Sequence, residues 1–301
     1  MYPNGAQFCL SLTFDIEMSY NFPYWASDYA DYGAIDPHVK QYVHTMLDVA
    51  KKYDVKLQFF IVGSALEDPD VDYLKRLVAE GHALDNHTYR HVNVKAKRVE
   101  DLHQSYRRAP WRAGSLTPLE CLRHEIRQTS RGLLERLGVE TRGFRTPGAF
   151  PNGLEDIPEV QALLQEEGFQ FASAHYKCPT ERTWHPPRTE MEAAVRLSLD
   201  SLQPYRYSSG LPEIPMMGLS DAIAFRSLDL DRWEYIHHAT IAVDHAYENG
   251  QILSLLAHPS YLAARDPHCD MLDTVLRRAL AKPGGCWVAT NRDINQTVLA
   301  A

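Results

Sequence analysis

Residues 81–91 read "GHALDNHTYRH", and what the histidines at 87 and 91 are for decides the fold. With 14 histidines in 301 residues, chance alone supplies about 0.6 pairs at this spacing. The pair is informative only if other parts of the chain bring partners to it. Its immediate setting is a strand–helix boundary. "VDYLKRLVAEG" (71–81) has helical periodicity and stops at Gly81, "HALDN" (82–86) reads as a short buried strand, and His87 and His91 follow that strand's end.

The same unit recurs outward in both directions. "FCLSLTFD" (8–15), "LQFFIVG" (57–63), "FQFASAHY" (169–176), "QILSLLAHP" (251–259) and "CWVATN" (286–291) are strand-like, and "TRGFRTPG" (141–148) is a strand running into a turn. Between them lie helix-like stretches at 37–53, 119–138, 155–168, 231–250 and 268–282, the first opened by Asp36-Pro37. Alternation of this kind, with no linker, implies parallel strands with helices outside, as a barrel or a doubly wound sheet. Residues 1–301 are expected to form one catalytic domain, with irregular insertions near 93–117 and 177–215. Neither GxGxxG nor GxxxxGK[ST] occurs, so nucleotide binding has no support.

Bulk composition narrows the class further. A hydrophobic fraction of 45% and a charged fraction of 23% are those of an ordinary globular protein able to bury a large core. A net charge of −8 argues against nucleic-acid binding, which needs clustered Lys and Arg. Five scattered cysteines without a CxxC point to reduced thiols rather than a zinc ribbon or a disulfide framework. No apolar run reaches the ~18 residues of a membrane span, and the N-terminus has no signal-peptide pattern. The expectation is a cytoplasmic protein without membrane partners; homo-oligomerisation is left open.

Polar residues gather where strands end. Asp15 and Glu17, two apart in extended chain, share a side. His87 and His91, Arg145 and His258 follow other strands. Both barrels and open α/β sheets build active sites at such carboxyl ends. Each residue alone has a bland reading: a solvated carboxylate pair, a surface arginine, a core histidine. Together, a carboxylate and two imidazoles make a ligand set for a catalytic divalent metal with open positions. A second carboxylate could take a proton from water, and another histidine could protonate a leaving amine. The residues therefore point to metal-assisted hydrolysis of an amide or ester.

"SLTFDIE", "LQFFIVG", "EGHALDNHTYRH", "GFRTPG" and "LSLLAHP", in this order, resemble the landmarks of the polysaccharide deacetylases, carbohydrate esterase family 4. The resemblance implies a distorted (β/α) barrel of fewer than eight units that removes N- or O-acetyl groups from sugars with one divalent metal. It assigns His87, His91 and Glu17 as metal ligands, Asp15 as general base and His258 as general acid. Arg145 matches the arginine that holds the base, and Pro147 and Gly148 match the turn that helps form an oxyanion hole. The usual T-F-D-D is here "TFDIE", so whether Asp15 also ligates metal stays open. Zinc suits the donors best, with cobalt, nickel, manganese and iron as alternatives. The aspartate and tryptophan that orient the acid histidine have no secure match, although "DLDRW" (229–233) has the composition.

Six of the thirteen residues from Tyr20 to Tyr32 are aromatic, Tyr24 and Trp25 among them, which suits sugar stacking or packing over the barrel mouth. "LPEIPMMG" (211–218) resembles a segment of relatives acting on small cyclic amides or cell-wall precursors. The leading expectation is deacetylation of an N-acetylated carbohydrate. The rivals are hydrolysis of a small cyclic or linear amide, and non-catalytic sugar binding on the same fold.

Overall fold

The structure, a computed structural model, describes residues 2–20, 32–178 and 187–299. Its centre is strand β1 (Phe8–Ile16), every residue of which is buried. That matches a parallel strand covered on both faces, where the sequence is apolar throughout instead of alternating. Around it lie β2 (Gln58–Ile61), β3 (Ala83–Asn86), β4 (Gly143–Phe150), β5 (Phe171–His175), β6 (Tyr205–Arg206), β7 (Pro212–Glu213), β8 (Ile252–Ala257) and β9 (Cys286–Val288). The sheet order is β6-β7-β5-β4-β3-β2-β1-β8, with β9 also pairing β1. All pairs are parallel except β6 with β7. A lone parallel bridge from Met217, just past β7, to Leu255 of β8 brings the two ends of the curled sheet together. This is the distorted α/β barrel that the motifs imply.

Helices cover the outside, and local sequence explains their limits. Asp36 caps Pro37–Lys52, accepting from the His38 and Val39 amides, and Val39, Tyr42, Val43, Met46, Leu47 and Ala50 turn inward. Pro118–Leu137 begins with a capping box between Thr117 and Glu120 and ends at Gly138 in the left-handed region. Two clusters of buried side chains result. One surrounds β1, β2 and β8, and the other lies under β4 and β5 and takes in Val92, Val94 and Leu102.

The main departure from expectation lies in 177–215. Arg188–Ser201 is a helix that buries Met191, Val195, Ser198 and Leu199 at helical spacing. Its apolar stripe is narrow and interleaved with charge, which hid it. Residues 93–117 hold only short helical turns and the five-residue helix Gln104–Arg108. No helix among the described residues is long and apolar enough to cross a membrane.

Candidate active site

The strand ends converge. Asp15 and Glu17, at the end of β1, are both buried. His87 Nε2 lies 3.2 Å and His91 Nε2 3.0 Å from the same oxygen, Glu17 Oε2. The structure thus brings Glu17, His87 and His91 into one cluster able to hold a metal ion; Asp15, Glu17 and His258 form a second, overlapping one. Donor chemistry favours the first. His87 Nδ1 sits 3.0 Å from the Arg145 carbonyl, a partner that can only accept. A proton on Nδ1, donated to this carbonyl, would leave the Nε2 lone pair directed at the cluster, as a metal-ligating histidine requires.

Electrostatics agree. Burial alone would raise Glu17, but His91, His258 and His87 outweigh it and hold its carboxyl well below the usual range. Burial lowers His91 despite the neighbouring Glu17, which keeps the imidazole neutral. An ionised Glu17 carboxylate beside a neutral His91 imidazole is a protonation state that favours a divalent cation.

The loop that carries the histidines is held firmly. Thr88 and His91 both adopt positive φ, 59° and 56°. The Asn86 side chain donates to the Ile126 carbonyl and Ser130 Oγ and accepts from the Thr88 amide, while Thr88 Oγ1 accepts from the Val92 amide. Gly63 donates to the Thr88 carbonyl, and a Cβ there would stand 2.4 Å from Thr129 Oγ1 and 2.5 Å from the Tyr89 ring. Only glycine permits that approach. The Tyr32 ring stacks on His91, centroids 3.9 Å apart and planes 12° apart.

Asp15 divides its two oxygens between Arg145 and the histidines. Its Oδ1 accepts from Arg145 at 2.9 Å, and its Oδ2 is 3.8 Å from His87 Nε2. Arg145 is fully buried, lies over the Phe60 ring and also donates to Ser173. Beyond Arg145 the pairing of β4 with β5 is irregular, and Gly148, at φ 74°, lines the cavity with Thr146 and Ala149. Pro147 is buried behind them. His258, after β8, approaches from the other side, its Nε2 3.7 Å from Glu17 and 4.0 Å from Asp15.

The group that holds His258 is Asp221. One of its oxygens lies 2.8 Å from His258 Nδ1 and the other accepts the His258 backbone N–H at 2.6 Å. Burial disfavours the charged imidazole, yet Asp221 and Glu17 overcome it and raise its pKa to about 10. The "DLDRW" stretch does other work: Asp229 pairs with Arg265, Asp231 caps the helix Arg232–Asn249, and Trp233 is exposed. Asp221 carries no motif signal of its own. Tyr24 and Trp25 lie outside the described residues, so the stacking expectation rests on sequence.

The fold is a curled, mostly parallel α/β barrel with a buried carboxylate–imidazole cluster at its strand ends. The chain belongs to the polysaccharide deacetylase family, whose profile matches residues 4–171, a span holding Asp15, Glu17, His87, His91 and Arg145. In sequence it is similar to the peptidoglycan-N-acetylglucosamine deacetylase of Bacillus cereus, 38% identical over 66 residues, which are 22% of this chain and 23% of that protein. The curated relatives are matched over less than a quarter of their length, 20% and 23%. In fold it resembles a Mycobacterium smegmatis protein named as a polysaccharide deacetylase (19% identity, TM-score 0.67, 100% of this chain and 93% of that one). It also resembles an allantoinase (18% identity, TM-score 0.63, 98% and 91%).

Proposed function

We infer that the protein is a hydrolase that removes acetyl groups, N-linked in the first instance, from a carbohydrate at a site holding one divalent transition metal. The observation that carries this reading is the shared focus of His87 Nε2 and His91 Nε2 on one oxygen of Glu17, flanked by Asp15–Arg145 and His258–Asp221. A metal bound by Glu17, His87 and His91 would polarise the acetyl carbonyl and acidify a water. Asp15 takes the proton of the attacking water, and Arg145 fixes its orientation. The Gly148 turn supplies backbone N–H to the developing oxyanion. His258, kept protonated by Asp221, donates to the departing amine. Zinc fits the two-imidazole, one-carboxylate set, and cobalt, nickel, manganese and iron share that preference to varying degrees.

A second reading, hydrolysis of a small cyclic or linear amide, uses the same residues. What favours it is the size of the cavity, about 370 Å³, which suits one ring better than a polymer.

Elemental analysis of purified protein should find about one divalent metal per chain, lost in both His87→Ala and His91→Ala. Acetate release from N-acetylated sugars should fall by about 10²–10⁴-fold in Asp15→Asn and in His258→Ala, with metal retained. A protein that stays metal-free after incubation with zinc, cobalt and nickel would remove the basis of the reading. Ring opening of a cyclic amide without acetate release would transfer it to the second substrate class.

A further inference from the structure

The cavity, at about 370 Å³, has room for one sugar ring, and the surface next to it has a character of its own. Residues 88–118, which run on from the histidine loop, carry seven Lys and Arg against two Asp and Glu, in a chain whose net charge is −8. A segment of this kind is where a polyanion can meet an otherwise acidic protein. Three of the seven cations do structural work: Arg90 pairs with Glu125, Lys95 with Asp156 and Arg98 with Asp101. Arg107 and Arg112 are exposed. The carboxylate that feels Arg107 is Asp101, and both of its oxygens are held by Arg98.

The segment is an anchored arm. Val92, Val94, Leu102 and Ala113 are buried in the cluster under β4 and β5, and Tyr106 donates to the buried Glu125. Between these anchors the short helix Gln104–Arg108, capped by His103, leads into the turn Pro110–Ala113. Trp111 stands in that turn at 76% exposure, the most exposed large apolar side chain among the described residues. Trp233, also exposed, differs from it, because the Arg232 guanidinium covers its face 4.6 Å from the ring centre. A series of rings joins the arm to the site. Tyr32 lines the cavity and stacks on His91, and His103 stands edge-on to Tyr32 with centroids 6.3 Å apart. From His103 to Trp111 is about 15 Å along the chain, five residues of α-helix and most of a 3₁₀ turn.

A bare indole face with two guanidinium groups within six residues of chain suits one ligand chemistry. The ring offers a flat apolar surface for the apolar face of a pyranose, and guanidinium groups match carboxylates with paired N–H donors. A nucleic acid, with a phosphate at every residue, would carry its charge onto the acidic remainder of the protein; a glycan with a carboxylate on only some of its sugars would not. We propose that the arm His103–Arg112 is a docking surface for an anionic polysaccharide bearing carboxylates along its chain. Trp111 stacks on a ring outside the cavity, Arg107 and Arg112 pair with carboxylates, and the chain presents one acetylated sugar to the metal cluster. The proposal rests on the deacetylase reading above for the acyl group, whereas the docking itself is independent of turnover.

The test uses titration calorimetry on the metal-loaded protein with two oligosaccharides of equal length: an oligomer of N-acetylglucosamine alone, and a hyaluronan fragment, in which N-acetylglucosamine alternates with glucuronate. At low salt the hyaluronan fragment should bind about fivefold or more tighter, the scale of two exposed ion pairs, and added salt should narrow the preference. Arg107→Gln combined with Arg112→Gln should abolish the preference. Trp111→Ala should weaken both oligomers by about tenfold, Trp111→Phe should restore part of that loss, and Trp233→Ala should change neither. All these variants should release acetate from monomeric N-acetylglucosamine at the wild-type rate, since none of the substituted residues lines the cavity. Equal affinity for the two oligomers, a preference kept in the double variant, full binding in Trp111→Ala, or no binding of either oligomer would each overturn the proposal. So would a single-stranded oligonucleotide that binds more tightly than the hyaluronan fragment and is lost in the same variants. Charge-selective glycan binding that depends on Trp111 and the two arginines, with no acetate released from any sugar, would uphold the docking surface and discard the deacetylase reading instead.

Discussion

At the scale of single residues, Asp221 governs what His258 can do. Burial opposes an imidazolium there, and the carboxylates of Asp221 and Glu17 more than compensate, so the group titrates near pH 10. A histidine whose folded pKa is raised contributes stability that is complete below its ordinary pKa and is lost as pH rises through about 10. The same shift would keep His258 protonated throughout neutral pH for the proposed role of acid. Replacing Asp221 by Asn removes the largest stabiliser of the charged form, so the His258 pKa falls. The alkaline limb of kcat should therefore move to lower pH, and the plateau rate should drop by about 10²-fold, with metal content unchanged. A pH–rate profile decides it; an alkaline limb that stays where the wild type has it would assign the proton to another group. Of the residues legible from sequence, Asp15, Glu17, His87, His91 and His258 end or follow strands, and Arg145 stands where the pairing of β4 with β5 breaks, so position in the chain dictates position at the barrel mouth. Asp221 was not legible because it reaches His258 from a π-helical turn 37 residues away, with neither a strand nor a motif to announce it.

At the scale of elements, the histidine loop and the strand ahead of it act as one unit. Asn86 is the last residue of β3, and its side chain ties that strand to the helix Pro118–Leu137 and to the Thr88 amide. The tie lets Thr88 and His91 occupy left-handed backbone, which costs a non-glycine residue about 1–2 kcal/mol. Asn86→Ala strands the buried Thr88 amide and removes the two bonds donated to the helix, so it should destabilise the fold by about 1–3 kcal/mol. It should also weaken metal binding by about tenfold or more, as loss of an orienting contact around a ligand does. Denaturant melts and metal titration measure the two effects separately. A variant that melts early but binds metal with wild-type affinity would mean that Gly63 and Ser64, which donate to the Thr88 and Tyr89 carbonyls, hold the loop without Asn86. Elements were legible in proportion to how completely they bury. The strands β1, β2 and β8, buried along their whole length, read directly as apolar runs. The two-residue strands β6 and β7 exist only because of their tertiary pairing. No local pattern could reveal them.

At the scale of the whole molecule, the chain's end returns to the barrel interior on the side away from the cavity. Ser11 of β1 donates to the Asn291 side chain, and Arg292 grips Asp85 of β3 through two bonds of 2.9 and 2.7 Å while also reaching the Leu84 and Glu140 carbonyls. Asp85 is fully buried and accepts besides from the Arg142 and Gly143 amides and from Gln58, so it joins β2, β3 and β4. Gly143 stands two residues before Arg145 along β4, which puts this network directly beneath the one that holds Asp15. The two ends of the barrel should nonetheless respond to different perturbations. Arg292→Ala leaves Asp85 with its amide donors, so the expected loss is about 2–3 kcal/mol, the worth of hydrogen bonds to a charged group, with metal affinity unaltered. Stripping the metal acts from the other end: a cation at about 100 times its Kd stabilises the folded state by about 2.7 kcal/mol, because Glu17 and the two histidines come from distant parts of the chain and meet only when it is folded. Thermal melts of wild type and Arg292→Ala, each with zinc and with chelator, should therefore give the same metal-dependent increment in both proteins. A smaller increment in Arg292→Ala would mean that the Asp85 network reaches through Arg145 to the ligands, so that the floor of the barrel helps set the geometry of its mouth.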